Sequence, residues 1–277
     1  MRKKVLLLIL LLTNTFLFAQ QHEAQQLLDE GKYLCRLEKA SWYASDLFIA
    51  DYPQLKDSLN GYLSYQTEDK NVTTIFYSLQ GGTKILARYE FSGISYQVPV
   101  SVDIHHPQPT DKEKELIALR IQVRHLLETN SNHFFSFYKK TSINIIPVIT
   151  PTERKVYLLT APQTSEVVLI GNDYLLTFNK KNELITKTKL HNSLISLPCK
   201  GEKSGNEIQS TVHSHVVSEY IAPTDICTLL LYKDFIEWTE HIVMGQKYIS
   251  VLNLKDETLT ITPRETWEKA NSSKTTD

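Results

Sequence analysis

Val72-Thr73-Thr74-Ile75-Phe76-Tyr77, then Gln80-Gly81-Gly82-Thr83, then Lys84-Ile85-Leu86-Ala87-Arg88-Tyr89 is the stretch that decides the fold class. Two runs of β-branched and aromatic residues flank a pair of glycines, the pattern of two antiparallel strands joined by a short turn. Before this hairpin, from about His22 to Leu63, the period is helical. Ala24, Leu27, Leu28, Leu34 and Leu37 share one face, and Asp51-Tyr52-Pro53 interrupts the run, which predicts a first helix and a shorter second one. After the hairpin, the segment from Pro99 to Pro109 reads as a polar connection. Asp111-Lys112-Glu113-Lys114 then opens a helix with acidic residues at its positive end and Leu116, Leu119, Val123, Leu126 and Leu127 at helical spacing.

Beyond Ser131 the chain reads mostly as strand, over residues 143–149, 155–160, 166–178 and 183–190, with Pro151, Pro162 and Lys180-Lys181-Asn182 as breaks. A strand over 208–217, a helix from Pro223 to about Trp238 and strands over 242–252 and 258–261 complete the reading. The fold class is α+β: N-terminal helices and a β-hairpin, followed by a helix and a mixed sheet. The expected organisation is a signal peptide over 1–19, a helical and hairpin portion over 20–110, an α+β core over 111–269 and a disordered tail over 270–277.

The signal-peptide expectation rests on Met1-Arg2-Lys3-Lys4, an apolar run from Val5 to Phe18, and Ala19 before Gln20. The run contains Thr13-Asn14-Thr15 and is shorter than the roughly 20 residues that span a bilayer, so cleavage rather than anchoring is expected, with no stable membrane span afterwards. No cysteine follows Ala19, which argues against a lipid anchor; the expected location is periplasmic or secreted. The formal net charge is −1 and basic residues do not cluster after Lys4, which argues against nucleic-acid binding. Cys35, Cys199 and Cys227 lie far apart and match neither a disulfide framework nor a four-cysteine zinc site; Cys35 and Cys227 are expected as buried helix residues. No phosphate loop, dinucleotide fingerprint or nucleophile elbow occurs.

One cluster can carry chemistry. In Thr211-Val212-His213-Ser214-His215 the two histidines stand at i and i+2 of a predicted strand, so their side chains leave one face about 6 to 7 Å apart. Asp225, ten residues past His215 at the start of the next predicted helix, can return as a third ligand. Two histidines and one carboxylate hold zinc with a position left for water, the arrangement of a catalytic site. The plainer alternative is two locally hydrogen-bonded histidines on a half-exposed strand and a carboxylate stabilising a helix start. His105-His106 offers a weaker pair before Pro107, and Gly171-Asn172-Asp173 reads as a bulge or turn. Trp42, Trp238 and Trp267 read as packing anchors, with Tyr232, Phe235 and Trp238 as one apolar helix stripe.

A strand carrying His-x-His, a short loop and an aspartate at a helix start resembles the JAB/MPN metallopeptidases. Members of that family place a glutamate on an earlier strand, then His-x-His, seven residues, serine, two residues and aspartate. The resemblance covers about residues 142–251 and implies a zinc-dependent hydrolase of peptide or isopeptide bonds. His213, His215 and Asp225 would be the metal ligands and Glu166 the catalytic proton carrier, with Asp173 and His191 as alternatives for that role. The interval to Asp225 is one residue shorter than the family pattern, and Ala222 or Pro223 stands where the serine belongs, leaving Ser214, Ser218 or Thr224 as substitutes. Glu38-Lys39-Ala40-Ser41-Trp42, Gly171-Asn172-Asp173-Tyr174, Leu190-His191 and Thr224-Asp225-Ile226-Cys227-Thr228 also resemble a group of exported Bacteroidota proteins, which implies export and no particular reaction. The expected partner is a peptide substrate or, if the site is degenerate and non-catalytic, another envelope protein.

Overall fold

Helix α1 (Arg2–Asp51) is continuous to the point where Pro53, which has no amide hydrogen to donate, stops the α-helical ladder. The computed structural model describes residues 2–165, 167–200 and 208–272. Where a second helix was expected, Pro53–Ser58 makes a short 3-10 segment, and the chain is extended by β1 (Gly61–Gln66). Among the described residues no helix is long and apolar enough to cross a membrane. The architecture is α+β, divided into two units built from interleaved segments: residues 33–165 and 171–193 in one, and residues 1–32, 166–170 and 194–277 in the other.

In the first of these units, β1 is followed by β2 (Val72–Ser78), β3 (Lys84–Phe91) and β4 (Ser101–Asp103), an antiparallel sheet in sequence order. The expected hairpin is therefore its centre, turned at Gly81 and Gly82, both with positive φ. Every residue of β2 is buried, and Phe48 of α1 stacks on Phe76 with ring centroids 4.2 Å apart. Helix α2 (Asp111–Thr129) begins at a reciprocal cap: Thr110 Oγ1 accepts from the Glu113 amide at 3.2 Å and Glu113 accepts from the Thr110 amide at 2.7 Å. The same carboxylate takes a two-pronged ion pair from Arg88 of β3, at 2.8 and 2.9 Å.

The expected strand over 166–178 is two strands, β7 (Val167–Gly171) and β8 (Tyr174–Phe178), because Gly171 (φ +102°) and Asn172 (φ +55°) turn the chain between them. A side chain at Gly171 would collide with the Ser193 carbonyl, which accepts from the Asn172 amide at 3.0 Å. β5 (Thr141–Ile149), β6 (Arg154–Pro162), β8 and β9 (Leu184–Lys189) form a second antiparallel sheet in that order. Leu119, Val123 and Leu127 of α2 belong to one buried cluster with Ile145, Val156, Leu158, Tyr174 and Leu176. Fully burying such side chains contributes about 1.5–3 kcal/mol each.

In the other unit, β10 (Leu194–Pro198), not expected as a strand, pairs with β7. β11 (Ser210–Ser214) leads to α3 (Pro223–Tyr232) and then β12 (Glu240–Met244), which runs parallel to β11. Parallel neighbours need a crossover, and α3 lies within it. β13 (Tyr248–Asn253) and β14 (Thr258–Pro263) extend the sheet antiparallel, so it is mixed, in the order β11-β12-β13-β14. The expected strand over 242–252 is thus a hairpin, closed where the Gly245 amide donates to the Tyr248 carbonyl at 2.9 Å.

α3 ends at Tyr232, so Tyr232, Phe235 and Trp238 do not make one helical stripe; Phe235 is exposed and Trp238 is buried. Trp42 is exposed rather than a packing anchor. Gly31 lets α1 approach α3 closely, since a Cβ there would sit 2.5 Å from Ile226 Cβ. Cys35 and Cys227 are buried on α1 and α3 as expected, and Cys199 is buried too. α4 (Arg264–Ser272) includes the start of the expected tail, whose residues 273–277 lie outside the described ones.

Candidate metal centre

β11 and the residue after it turn two histidines inward. Val212 is 54% exposed, whereas His213 and His215 on the opposite face are 6% and 4% exposed. Burying imidazoles in place of a valine is unfavourable unless they find partners. Those partners come from α3 and β12. Pro223 is compatible with the first turn of α3, and Asp225, in that turn, accepts the Ala222 amide on Oδ2 at 3.1 Å. This cap fixes a carboxylate that is 0% exposed. The approach to α3 is held from the sheet side as well, where Ser250 Oγ of β13 accepts the Ile221 amide at 3.2 Å.

The three residues expected as ligands are brought together within one unit. His215 Nε2 lies 3.2 Å from Asp225 Oδ2, and His213 Nε2 lies 3.9 Å from the same oxygen. The two imidazole centroids are 4.7 Å apart. Donor atoms of the three residues lie within 4.8 Å of one another, a group that could hold a metal ion. Zinc bonds of about 2.0–2.1 Å imply donor–donor separations of about 3.4 Å in a tetrahedron, and 3.2 and 3.9 Å bracket that value. The donor chemistry, two imidazoles and a carboxylate, suits zinc and other borderline divalent ions.

Each histidine is also held by its far ring nitrogen. His215 Nδ1 is 2.8 Å from the Tyr220 carbonyl and 2.8 Å from Ser218 Oγ. His213 Nδ1 is 2.7 Å from His241 Nε2, and His241 Nδ1 is 2.7 Å from Thr211 Oγ1. His241 is 0% exposed, packed near Trp238 with centroids 5.8 Å apart. Burial, followed by the neighbouring His213, pushes its imidazole down to about 3, so it is neutral at physiological pH.

Sequence reasoning missed His241 and gave Thr211 no role. The signal for both lies in strand register: Thr211 extends the i, i+2 series of His213 and His215, and the parallel ladder sets Thr211 opposite His241.

Among the substitutes for the serine of the JAB/MPN pattern, Ser214 is exposed and Ser218 donates to the Tyr220 carbonyl at 2.7 Å, behind His215. Thr224 is fully buried. Glu166, expected as the proton carrier, lies outside the described residues. Its alternatives belong to the other unit, where His191 and Asp173 are buried with Nδ1 3.8 Å from Oδ2, and Asp173 Oδ1 accepts the Thr160 amide at 2.9 Å. His105 and His106 are exposed, and His106 pairs with Asp103 at 3.0 Å. Compared with known proteins, the chain matches no family model, no curated protein and no solved structure.

Proposed function

We propose that this chain is an exported zinc-dependent hydrolase of peptide or amide bonds, with His213, His215 and Asp225 as the protein ligands and Glu166 as the proton carrier. The observation that carries the reading is the approach of two imidazole Nε2 atoms to one buried carboxylate oxygen, at 3.2 and 3.9 Å, inside a unit that also supplies the histidines' outer partners. Bound zinc would supply Lewis acidity and a water acidified to a pKa of about 7. In this scheme His213 and His215 would supply donor nitrogens, Asp225 would supply the compensating charge from a helix start that favours anions, and Glu166 would carry the proton to and from the reacting water. Export follows from the charged and apolar order of residues 1–19.

The burial of all three ligands favours a second reading, in which the ion is structural and the chain is a non-catalytic envelope protein that binds a partner. Zinc analysis of the chain purified without chelators, beside His213→Ala, tests what the two readings share: about one ion per chain is expected, lost in the variant. X-ray absorption on the loaded protein then separates them. Three protein ligands plus a water oxygen, together with amide hydrolysis abolished in Glu166→Gln, support the hydrolase; four protein ligands and no hydrolysis leave the structural ion. No zinc under zinc-replete conditions removes both.

A further inference from the structure

The three rings of His215, His213 and His241 each have a choice of tautomer, and their neighbours restrict it. His215 Nδ1 faces the Tyr220 carbonyl at 2.8 Å, and a carbonyl oxygen can only accept. Its proton therefore sits on Nδ1 and its lone pair on Nε2, toward Asp225. His213 is held by a different kind of partner. The atom placed behind its Nδ1 is His241 Nε2 at 2.7 Å, a nitrogen that can donate or accept according to where His241 carries its own proton. His241 Nδ1 in turn meets Thr211 Oγ1 at 2.7 Å, a hydroxyl that serves in either sense. The line Thr211–His241–His213 can thus run in two directions. Only one direction leaves His213 Nε2 able to ligate.

We infer that Thr211 and His241 are positioning residues that hold the His213 proton on Nδ1 and present its Nε2 lone pair to the metal. The inference rests on the metal-site reading proposed above. Ligation through Nε2 requires the His213 proton on Nδ1, so His241 Nε2 must accept it. His241 then carries its own proton on Nδ1 and donates it to Thr211 Oγ1. Metal-bound histidines generally donate their outer N–H to a carboxylate, carbonyl or water. Here a second histidine takes that part, and β-ladder register delivers it, since Thr211 is paired with His241 and His213 stands two residues along the same strand. His241 is too deeply placed for solvent to substitute for it, being 0% exposed.

The test measures zinc affinity of the full chain by competition with a chromophoric chelator, in wild type, His241→Leu, His241→Gln and Thr211→Val. His241→Leu keeps the volume but offers no acceptor, and is expected to weaken zinc binding about 10- to 100-fold. His241→Gln can present an amide oxygen to His213 Nδ1 and is expected to restore much of that loss. Thr211→Val, which removes only the distal acceptor, should fall between them and serves if His241→Leu does not fold. Ring 15N shifts of the zinc-loaded wild type supply a readout that a packing role would not move: the protonated nitrogen of His213 should be Nδ1. Wild-type affinity in a folded His241→Leu chain, or ligation of His213 through Nδ1, overturns the inference while leaving the metal site standing. A wild-type chain that binds no zinc overturns both.

Discussion

Glu38 gives the sharpest quantitative expectation outside the candidate metal centre. It lies on α1, is buried, and accepts from Asn144 Nδ2 on β5 at 2.7 Å. Burial pushes its carboxyl up to about 7 from an ordinary 4.5, and the Asn144 hydrogen bond and the Arg120 charge only partly oppose this. The folded chain therefore holds a proton that the unfolded chain releases between pH 4.5 and 7. Stability contributed by this group is greatest below the unfolded value and is lost as pH rises through the folded one. At about 1.4 kcal/mol per pH unit the full loss is on the order of 3 kcal/mol. Glu38→Gln removes the titration and keeps an oxygen for Asn144. Urea unfolding, followed by amide exchange in β2 and β5, should find the variant about as stable as wild type near pH 4.5 and more stable by up to that amount at pH 8. A stability difference that does not grow with pH would refute the reasoning, as would a variant weaker than wild type at pH 8.

Glu113→Ala should cost about 3–5 kcal/mol in thermal or urea unfolding, because it leaves the Arg88 guanidinium without its two-pronged partner and opens the cap of α2. Burial by itself would raise the Glu113 carboxyl, but hydrogen bonds from Arg88 and the Thr110 amide outweigh it and hold the group below the usual range. Its contribution is accordingly present above the unfolded pKa and lost as acid titrates the folded value, a slope that Glu113→Gln should abolish. Gly31→Ala places a methyl 2.5 Å from Ile226 Cβ, so α1 or α3 must shift, and a loss of about 1–3 kcal/mol is expected by the same assays. An unchanged melting temperature would mean that the two helices separate without cost.

Periodicity made the β2–β3 hairpin and α2 legible, because the turn between β2 and β3 is marked by glycines and α2 by a polar cap whose residues act locally, whereas β4 lies inside the segment read as a polar connection. It misread 166–178 and 242–252 as single strands. Short apolar runs look alike whether the chain continues or turns, and the turns at Gly171-Asn172 and Gly245 are set by close backbone approaches to Ser193 and Glu219 that no local pattern announces. β1 was absorbed into the preceding helical reading because its identity comes from pairing with β2. The same divide runs through the candidate metal centre. His213, His215 and Asp225 are legible as candidates because their spacing, in a strand region and at one helix start, is local. His241 is not, because it reaches His213 only through the ladder between β11 and β12.

The unit that carries this centre is assembled from both ends of the chain, residues 1–32 and 194–277, with five residues drawn from the middle. The other unit is complete once residue 193 has been made. In the order of the sequence, residues 20–32 of this unit lie far from residue 194, where the chain last returns to it, a long-range closure that slows folding. His213, His215, Asp225 and His241, the residues of the candidate metal centre, all lie in the segment that is made last. A chain interrupted anywhere between 193 and 240 retains every residue of the other unit, yet lacks at least His241.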